Sequence, residues 1–199
     1  MGESDLGEQT MSRSFPEKEK GIAALELAIL LPILCILAFA VIDFGRLIQS
    51  RLVVTNLSRE GGSLASRDVQ GDNNLFLLLQ SASTPLDLQN WGRIVITKIK
   101  AGVSQNAPNP AIDSQSASGS LNVASVCGTA GNPNLYFGLS QNLYNHLKFN
   151  LAHQTADISE ITVVEVYYKF RPITPLPNFI QNLLLTDGGG FIVGSKSVF

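Results

Sequence analysis

Apolar residues are unevenly distributed along the chain, and they divide it into an N-terminal helix and a mixed region. An apolar run extends over residues 27–42. As a helix, residues 22–42 would be about 31 Å long, which matches the hydrocarbon core of a bilayer. Pro32 lies in the middle of this run, and membrane helices tolerate proline. The pattern therefore predicts a transmembrane helix over residues 22–42.

The helical pattern continues beyond this segment. Apolar residues recur there at three-to-four-residue spacing, which is typical of a helix with one buried face: Leu47, Ile48, Leu52, Val53, Leu57 and Leu64. Glycines at positions 45, 61 and 62 weaken the helix and indicate bends. Polar residues at 68–74 predict its end, so residues 43–67 are predicted to extend the helix outside the membrane.

The rest of the chain, residues 75–199, predicts a small α+β head domain. Its clearest element is an alternating strand from Ile161 to Phe170, with one apolar and one mixed face. A final strand directly after a glycine turn predicts an antiparallel sheet. The other predicted elements are helices at 75–83, 134–150 and 178–185, strands at 91–100, 121–126 and 191–198, a mobile loop at 102–120 and a turn at 188–190.

The most informative chemical group is a carboxylate at the entrance of the apolar run. Glu26 follows Gly21 by five residues. An acid within the membrane is unfavourable by several kcal/mol, so such a residue indicates a functional site. The charged tail ahead of Gly21 has the character of a leader that is removed. Cleavage after Gly21 would create an amino group at Ile22, close to Glu26.

This arrangement resembles the prepilin type of signal, and residues 21–67 resemble the TadE-like family of minor pilins, or pseudopilins, of tight-adherence (Flp) pilus systems. The residues that carry the resemblance are Gly21, Glu26, Pro32, Asp43, Phe44, Gly45, Arg46, Ser58, Arg59, Glu60 and Gly61. After Gly61 the family pattern leads us to expect Ala-Arg, and this chain has Gly62-Ser63 instead. Residues 161–175 match more weakly, as a late strand that ends in aromatic and proline residues.

The resemblance implies a type IV pilin-like fold, with a long helix that continues into the head. It implies a cytoplasmic leader of residues 1–21, a single span of the bacterial inner membrane and a periplasmic head. Prepilin peptidase would cut between Gly21 and Ile22, and Glu26 would pair with the amino group of a neighbouring subunit. Implied partners are this peptidase, other minor and major pilins and the inner-membrane assembly platform. The resemblance further implies a role in pilus assembly, initiation or adhesion, with the protein either in the extracellular pilus or at the assembly platform.

Two alternatives have other consequences. An unprocessed anchor could carry a periplasmic binding or sensor module that never enters a filament. A signal peptidase could instead cut after Ala40, because residues 38–40 have the small-x-small form of its site, and would release a soluble protein. Glu26, the long acidic segment before it and the apolar residues after the proposed cut argue against secretion. Positive charges flank both ends of the apolar run equally, so the orientation rests on the resemblance.

Composition narrows the possible partners and chemistry. The net charge of −2 argues against nucleic acid. Residues 1–21 hold three of the 14 Lys and Arg and five of the 16 Asp and Glu, so the remainder carries equal numbers of each charge. That balance suits a subunit that assembles. No enzyme motif is present in the sequence, and we expect neither catalytic residues nor a cofactor.

The histidines and cysteines are weak candidates for a site. His146, His153 and Asp157 could share a helix face and bind a metal, but surface histidines explain the spacing better. Cys35 would lie in lipid and Cys127 in the head, so an intrachain disulfide is not expected. Each is either a small hydrophobic residue or, in the case of Cys127, a thiol that pairs with a partner chain.

Overall fold

The computed structural model describes residues 17–67, 71–174 and 190–199. Helix α1 comprises Glu17–Ser66 and precedes all other elements. The later helices are α2 (Asp72–Ala82), α3 (Leu88–Trp91) and α4 (Gln141–His146), and a 3₁₀ turn comprises Leu135–Gly138. The strands are β1 (Gly92–Lys100), β2 (Ala111–Ser118), β3 (Gly128–Thr129), β4 (Asn132–Pro133), β5 (Glu160–Phe170) and β6 (Phe191–Val198).

Helix α1 is continuous over 50 residues and includes Pro32. At 1.5 Å per residue it is about 75 Å long, which confirms the predicted long helix. From Ile22 to Ile42, every side chain is exposed except the half-buried Phe39. By length and composition, this helix contains a stretch apolar enough to cross a membrane. Beyond residue 42, one face of α1 becomes buried against the head.

The main sheet has the strand order β2-β1-β5-β6, and every neighbouring pair is antiparallel. This confirms the predicted α+β class with a long N-terminal helix and an antiparallel head. Gly61 lies against Val164, and Arg46 lies against Phe170. Strand β5 therefore runs antiparallel to α1, and its end lies beside the first helical turns after residue 42.

Both faces of the sheet are covered. On the α1 side, apolar residues of α1, α2, β1 and β5 form one buried cluster, which includes Val54, Leu57, Leu75, Phe76, Leu79, Ile94, Ile96, Val164 and Val166. On the other side, residues between β2 and β5 pack onto the sheet in a second cluster of Ile99, Cys127, Phe137, Leu139, Leu147, Ile161 and Val163. This second layer explains why the mixed face predicted for β5 contains fully buried residues.

The prediction of a mobile loop over residues 102–120 was wrong, because this segment contains strand β2. Its sequence is mostly small and polar, so it shows no apolar alternation. Pairing with β1 holds it in place, with Ile96 opposite Ser116 and a register shift after Lys98. An ion pair of 2.9 Å between Lys100 and Asp113 connects the two strands. Hydrogen bonding to β1 therefore accounts for strand β2, whereas the composition of its own sequence does not predict it.

Two further predictions need correction. Residues 121–126 form an irregular segment instead of a strand. Residues 134–150 form the 3₁₀ turn and the short helix α4 instead of one helix, because Tyr136, Phe137 and Gly138 have positive φ angles of 52°, 54° and 62°. Helix α2 confirms the predicted helix at 75–83. Strands β1, β5 and β6 confirm the predicted strands at 91–100, 161–170 and 191–198. The predicted helix at 178–185 and most of the turn at 188–190 lie outside the described residues.

Candidate functional site at the helix–head junction

The predicted processing site lies on the exposed part of α1. Gly21, Ile22 and Glu26 are all helical and exposed, and an added Cβ at Gly21 would have no neighbour within 4 Å. Among the described residues, none forms a hydrogen bond or ion pair with Glu26. Within the described part of the chain, Glu26 therefore has no polar partner.

Two blocks of the family motif follow the apolar run: the exit motif, residues 43–46, and the second motif block, residues 58–61. Asp43, the first residue of the exit motif, connects α1 to the head. Its carboxylate is buried although it lies on a helix that is exposed just before it. Oδ1 accepts a hydrogen bond of 3.1 Å from the backbone N–H of Ile173, and Oδ2 accepts one from the hydroxyl of Thr174. These two residues follow β5 directly. The junction is therefore built from a motif residue of the helix and a segment 130 residues later in sequence.

The other three residues of the exit motif lie differently. The Arg46 guanidinium lies over the ring of Phe170, 5.9 Å from its centroid, in a cation–π arrangement. Its Nη1 is buried and has no hydrogen-bond partner among the described residues. Phe44 is exposed, and a Cβ at Gly45 would meet no atom within 4 Å. Asp43 and Arg46 thus hold the head, whereas Phe44 and Gly45 face outward.

The second motif block binds β6. Ser58 is fully buried, and its Oγ lies 2.9 Å from the Oγ of Ser195 and 3.1 Å from that of Ser197. It also donates to the carbonyl of Thr55 at 2.9 Å. Because Ser58 has a single hydroxyl proton, the two β6 hydroxyls would donate to it. The following Arg59 and Glu60 are exposed.

Two glycines allow close approach between α1 and the head. A Cβ at Gly61 would lie 2.9 Å from Leu79 Cδ1 and 3.3 Å from Val164 Cγ1. At Gly62, where the family pattern predicts a larger residue, a Cβ would lie 2.3 Å from the ring of Phe199. The departure from the family pattern therefore has a local explanation. Gly62 leaves the space that the Phe199 side chain occupies.

A buried acid that we did not single out as a site residue lies on the opposite face of the sheet. Glu165 on β5 is fully buried, and its Oε1 accepts a hydrogen bond of 2.9 Å from the backbone N–H of Val126. Its Oε2 has no hydrogen-bond partner in the described chain. Burial raises the pKa of the Glu165 carboxyl above its usual value, with smaller opposing contributions from hydrogen bonds. A neutral carboxyl is thus favoured in the folded protein.

Cys127 lies beside Glu165, and its Sγ is 4.0 Å from Oε1. The side chain is fully buried, so it is not available to pair with a partner chain as one of our two interpretations required. Burial, followed by the nearby Glu165, raises the pKa of the Cys127 thiol to about 11. The interpretation of Cys127 as a small hydrophobic residue agrees with these surroundings.

The histidines do not form the metal-binding helix face that we considered. His146 is the last residue of α4, and its Nδ1 lies 2.7 Å from Oδ2 of Asp157. His153 lies in a turn segment outside α4. Across the parts of the chain that the structure describes, no group of three or more His, Cys, Asp or Glu side chains could hold a metal ion.

Sequence reasoning found the helix side of the junction but missed the head side. Ile173, Thr174, Ser195, Ser197 and Phe199 carry no motif that assigns them to α1. The alternation of serine with bulkier residues in β6 is the only hint, since it places Ser195 and Ser197 on one face of a strand. Glu165 could have been noticed as an acid within a run of apolar β-branched residues.

Comparison with known proteins supports the N-terminal resemblance. The family model described as TadE-like protein matches residues 21–63, which are the exposed helix, the exit motif and the second motif block. The predicted resemblance to the TadE-like family is thereby confirmed over this segment. No curated protein and no solved structure matches the chain.

Proposed function

We propose that this protein is a minor pilin, or pseudopilin, of a tight-adherence (Flp) pilus and acts in pilus assembly, initiation or adhesion. The TadE-like match and the single apolar N-terminal helix support a membrane-anchored protein associated with such a pilus system. The observation that carries the finer proposal is the division of the motif into two sets. Asp43, Arg46, Ser58 and Gly61 contact the head, whereas Glu26 forms no hydrogen bond or ion pair with a described residue.

An assembly role gives Glu26 a partner. A lone carboxylate in hydrocarbon is unfavourable, and a pair of opposite charges is tolerated only when both partners are present. Cleavage after Gly21 would supply the positive charge as the amino group of Ile22. Within one helix, Ile22 and Glu26 are separated axially by about 6 Å. Pairing between subunits would therefore offset neighbouring helices by about one helical turn and would fix the register of the assembly.

In this proposal the chain is a substrate and not an enzyme. Prepilin peptidase would cut between Gly21 and Ile22 with residues 1–21 in the cytoplasm, and the head would lie in the periplasm. Gly21 suits a cleavage position because it has no side chain and no neighbour within 4 Å on the described helix. The other pilins and the inner-membrane assembly platform would contact the outward-facing residues.

Processing is tested by determining the mature amino terminus of the protein from membranes by mass spectrometry. We expect Ile22 in the wild type and the intact leader in Gly21→Val. Gly71→Val is the matched control, because Gly71 also has no neighbour within 4 Å but lies outside the motif. A start at Val41 would identify a secreted protein. Retention of residues 1–21 in the wild type would leave an unprocessed anchor.

Assembly is tested separately with Glu26→Gln, which removes the charge but keeps the shape of the side chain. We expect normal membrane insertion and cleavage but impaired piliation. Glu160→Gln, at an exposed acid on the head, should leave piliation unchanged. Normal pili in Glu26→Gln would contradict the charge pair. Normal pili after deletion of the whole protein would favour the anchored binding or sensor module.

A further inference from the structure

An apolar groove lies between α1 and β6, at the first turns of α1 beyond residue 42. It has a volume of about 430 Å³. Residues of the helix and of the first half of β6 line it: Phe44, Leu47, Ile48, Arg51, Phe191, Ile192, Val193 and Gly194. Phe44 is 64% exposed, Ile48 46%, Phe191 40% and Ile192 52%. The lining is therefore apolar but open to its surroundings.

The apolar surface of the groove is continuous with the surface of the spanning segment. Val41 and Ile42 are exposed at the end of that segment, and Phe44 follows within a single turn. At 1.5 Å per residue, Phe44 lies about 3 Å and Arg51 about 13 Å beyond the end of the 22–42 segment. The headgroup region on each side of the hydrocarbon core is about 5–8 Å thick. Phe44 therefore lies at its level, and the long Arg51 side chain, which is directed toward the helix N-terminus, would reach back toward it. With residues 22–42 in a bilayer, lipid would also be the medium at the lower end of the groove.

The base of the head is fixed at the same level. Asp43 binds Ile173 and Thr174, and Phe191 begins the strand that forms the other wall of the groove. The side chains of Phe44 and Phe191 are wholly apolar, so at the membrane surface they would favour contact with the upper acyl chains. The head thus meets the bilayer with an apolar wall at its lower edge.

The groove also contains a cation in a position to bind phosphate. Arg51 lines it, and no residue in the described ranges forms an ion pair with its guanidinium. It lies about 10 Å above Phe44 along the helix. A guanidinium above an apolar slot is complementary to a phospholipid, whose phosphate lies above its acyl chains. Arginine binds phosphate well because its planar donors match the oxygen geometry.

We propose that the α1–β6 groove is a phospholipid-binding site, with the upper part of an acyl chain between α1 and β6 and the phosphate at Arg51. This site would orient the head on the membrane before the subunit enters any assembly. It requires only the membrane anchor and not the pilin function, so it can be tested independently.

The first test measures contact between the groove and acyl chains. Full-length Trp91→Phe/Phe191→Trp protein would be reconstituted at low density in vesicles of phosphatidylcholine, with or without bromine at the upper acyl carbons. We expect about a twofold or larger drop in tryptophan fluorescence with the brominated lipid, because Phe191 would contact the chains. The matched control is Trp91→Phe/Leu135→Trp. Leu135 is 79% exposed but belongs to the layer on the opposite face of the sheet, so its fluorescence should stay unchanged.

The second test addresses the phosphate. Native mass spectrometry of the detergent-extracted full-length protein would count retained phospholipids. We expect Arg51→Gln to reduce this number and Arg59→Gln, two turns farther along α1, to leave it unchanged. Absence of quenching at position 191 would overturn the proposal, because the groove would then not contact acyl chains. Equal quenching at positions 191 and 135 would also overturn it, as would full lipid retention in Arg51→Gln.

Discussion

The glycines of α1 differ in how closely the rest of the protein packs against them. Gly45 has no neighbour within 4 Å of a Cβ, whereas at Gly62 the Phe199 ring would be 2.3 Å away. A glycine inside a helix is unfavourable by up to about 1 kcal/mol relative to alanine. At Gly62 this penalty is offset because the missing side chain leaves room for the Phe199 ring to pack against α1. At Gly45 no such contact with the described chain offsets it.

The contrast predicts opposite effects of one substitution. Gly45→Ala should raise the thermal unfolding temperature, because it improves helix propensity without a clash. Gly62→Ala should lower the unfolding temperature, because the added Cβ would displace the Phe199 ring from its packed position. A Gly62→Ala/Phe199→Ala double variant should be no less stable than Phe199→Ala alone. Simple additivity of the two single effects, measured by thermal unfolding in micelles, would contradict the packing argument.

The ionisation of Glu165 is coupled to folding because its carboxyl is buried in the folded protein. Burial raises its pKa in the folded state, so folding favours the neutral carboxyl. Stability from this group is fully present below the pKa of the unfolded chain. It is lost as the pH rises through the higher folded pKa. The protein should therefore become less stable as the pH increases from the usual glutamate range upward.

We predict that Glu165→Gln flattens this pH dependence, because the amide keeps the shape but does not ionise. The measurement is the unfolding temperature of wild type and variant over a series of pH values. The difference between them should be small in acid and should change in favour of the variant as the pH rises. A parallel pair of curves would show that Glu165 does not control this part of the profile.

At the scale of elements, the junction between α1 and the end of β5 depends on the buried Asp43. Its two acceptor oxygens satisfy the Ile173 N–H and the Thr174 hydroxyl. Removal of a buried hydrogen-bond partner leaves the other group unsatisfied, at a cost of about 1–3 kcal/mol. The Arg46–Phe170 contact lies next to it, but a cation over an aromatic ring tolerates displacement better than a hydrogen bond does.

Asp43→Ala should loosen the junction without unfolding the sheet. We expect faster hydrogen exchange of the Ile173 amide, with protection of β1 and the centre of β5 retained. Asp43→Asn is the control, since its amide oxygen can still accept from the Ile173 N–H. Equal exchange rates at Ile173 in wild type and Asp43→Ala would contradict this view of the junction.

At the scale of the whole molecule, helix and head form one packed unit from residue 43 onward. Strands β5 and β6 pack along α1, and a second layer closes the opposite face of the sheet over Cys127. Burial and the raised pKa keep the Cys127 thiol protonated and enclosed. Its reactivity is therefore a measure of whether this second layer is intact.

We predict that, in a Cys35→Ser variant, Cys127 resists maleimide at neutral pH in the folded protein and reacts after denaturation. Oxidation should give no disulfide-linked dimer. The Cys35→Ser/Cys127→Ser variant corrects for labelling of other groups. Rapid labelling of the folded chain would mean that the second layer opens readily.

The helix and the strands differ in how far their positions could be predicted from the sequence. The long apolar helix and its continuation follow from the sequence, because an apolar run of this length, followed by apolar residues at three-to-four-residue spacing, is typical of a helix. The strands at 92–100 and 160–170 were predictable because their β-branched residues alternate or are buried on both faces. Strand β2 could not be predicted, since its small polar residues are ordered only by pairing with β1.

The sequence by itself determined the α+β fold class, the long N-terminal helix and the resemblance of residues 21–63 to the TadE-like family. Only the tertiary structure decided which motif residues hold the head, which close approach Gly62 allows and which acid is buried. The physical reason is the distance in sequence between the residues that interact. Helix propensity, hydropathy and the leader pattern act within a few residues, whereas the Asp43–Thr174 and Ser58–Ser195 contacts join positions more than a hundred residues apart. The groove beside Arg51 also exists only because β6 returns to α1.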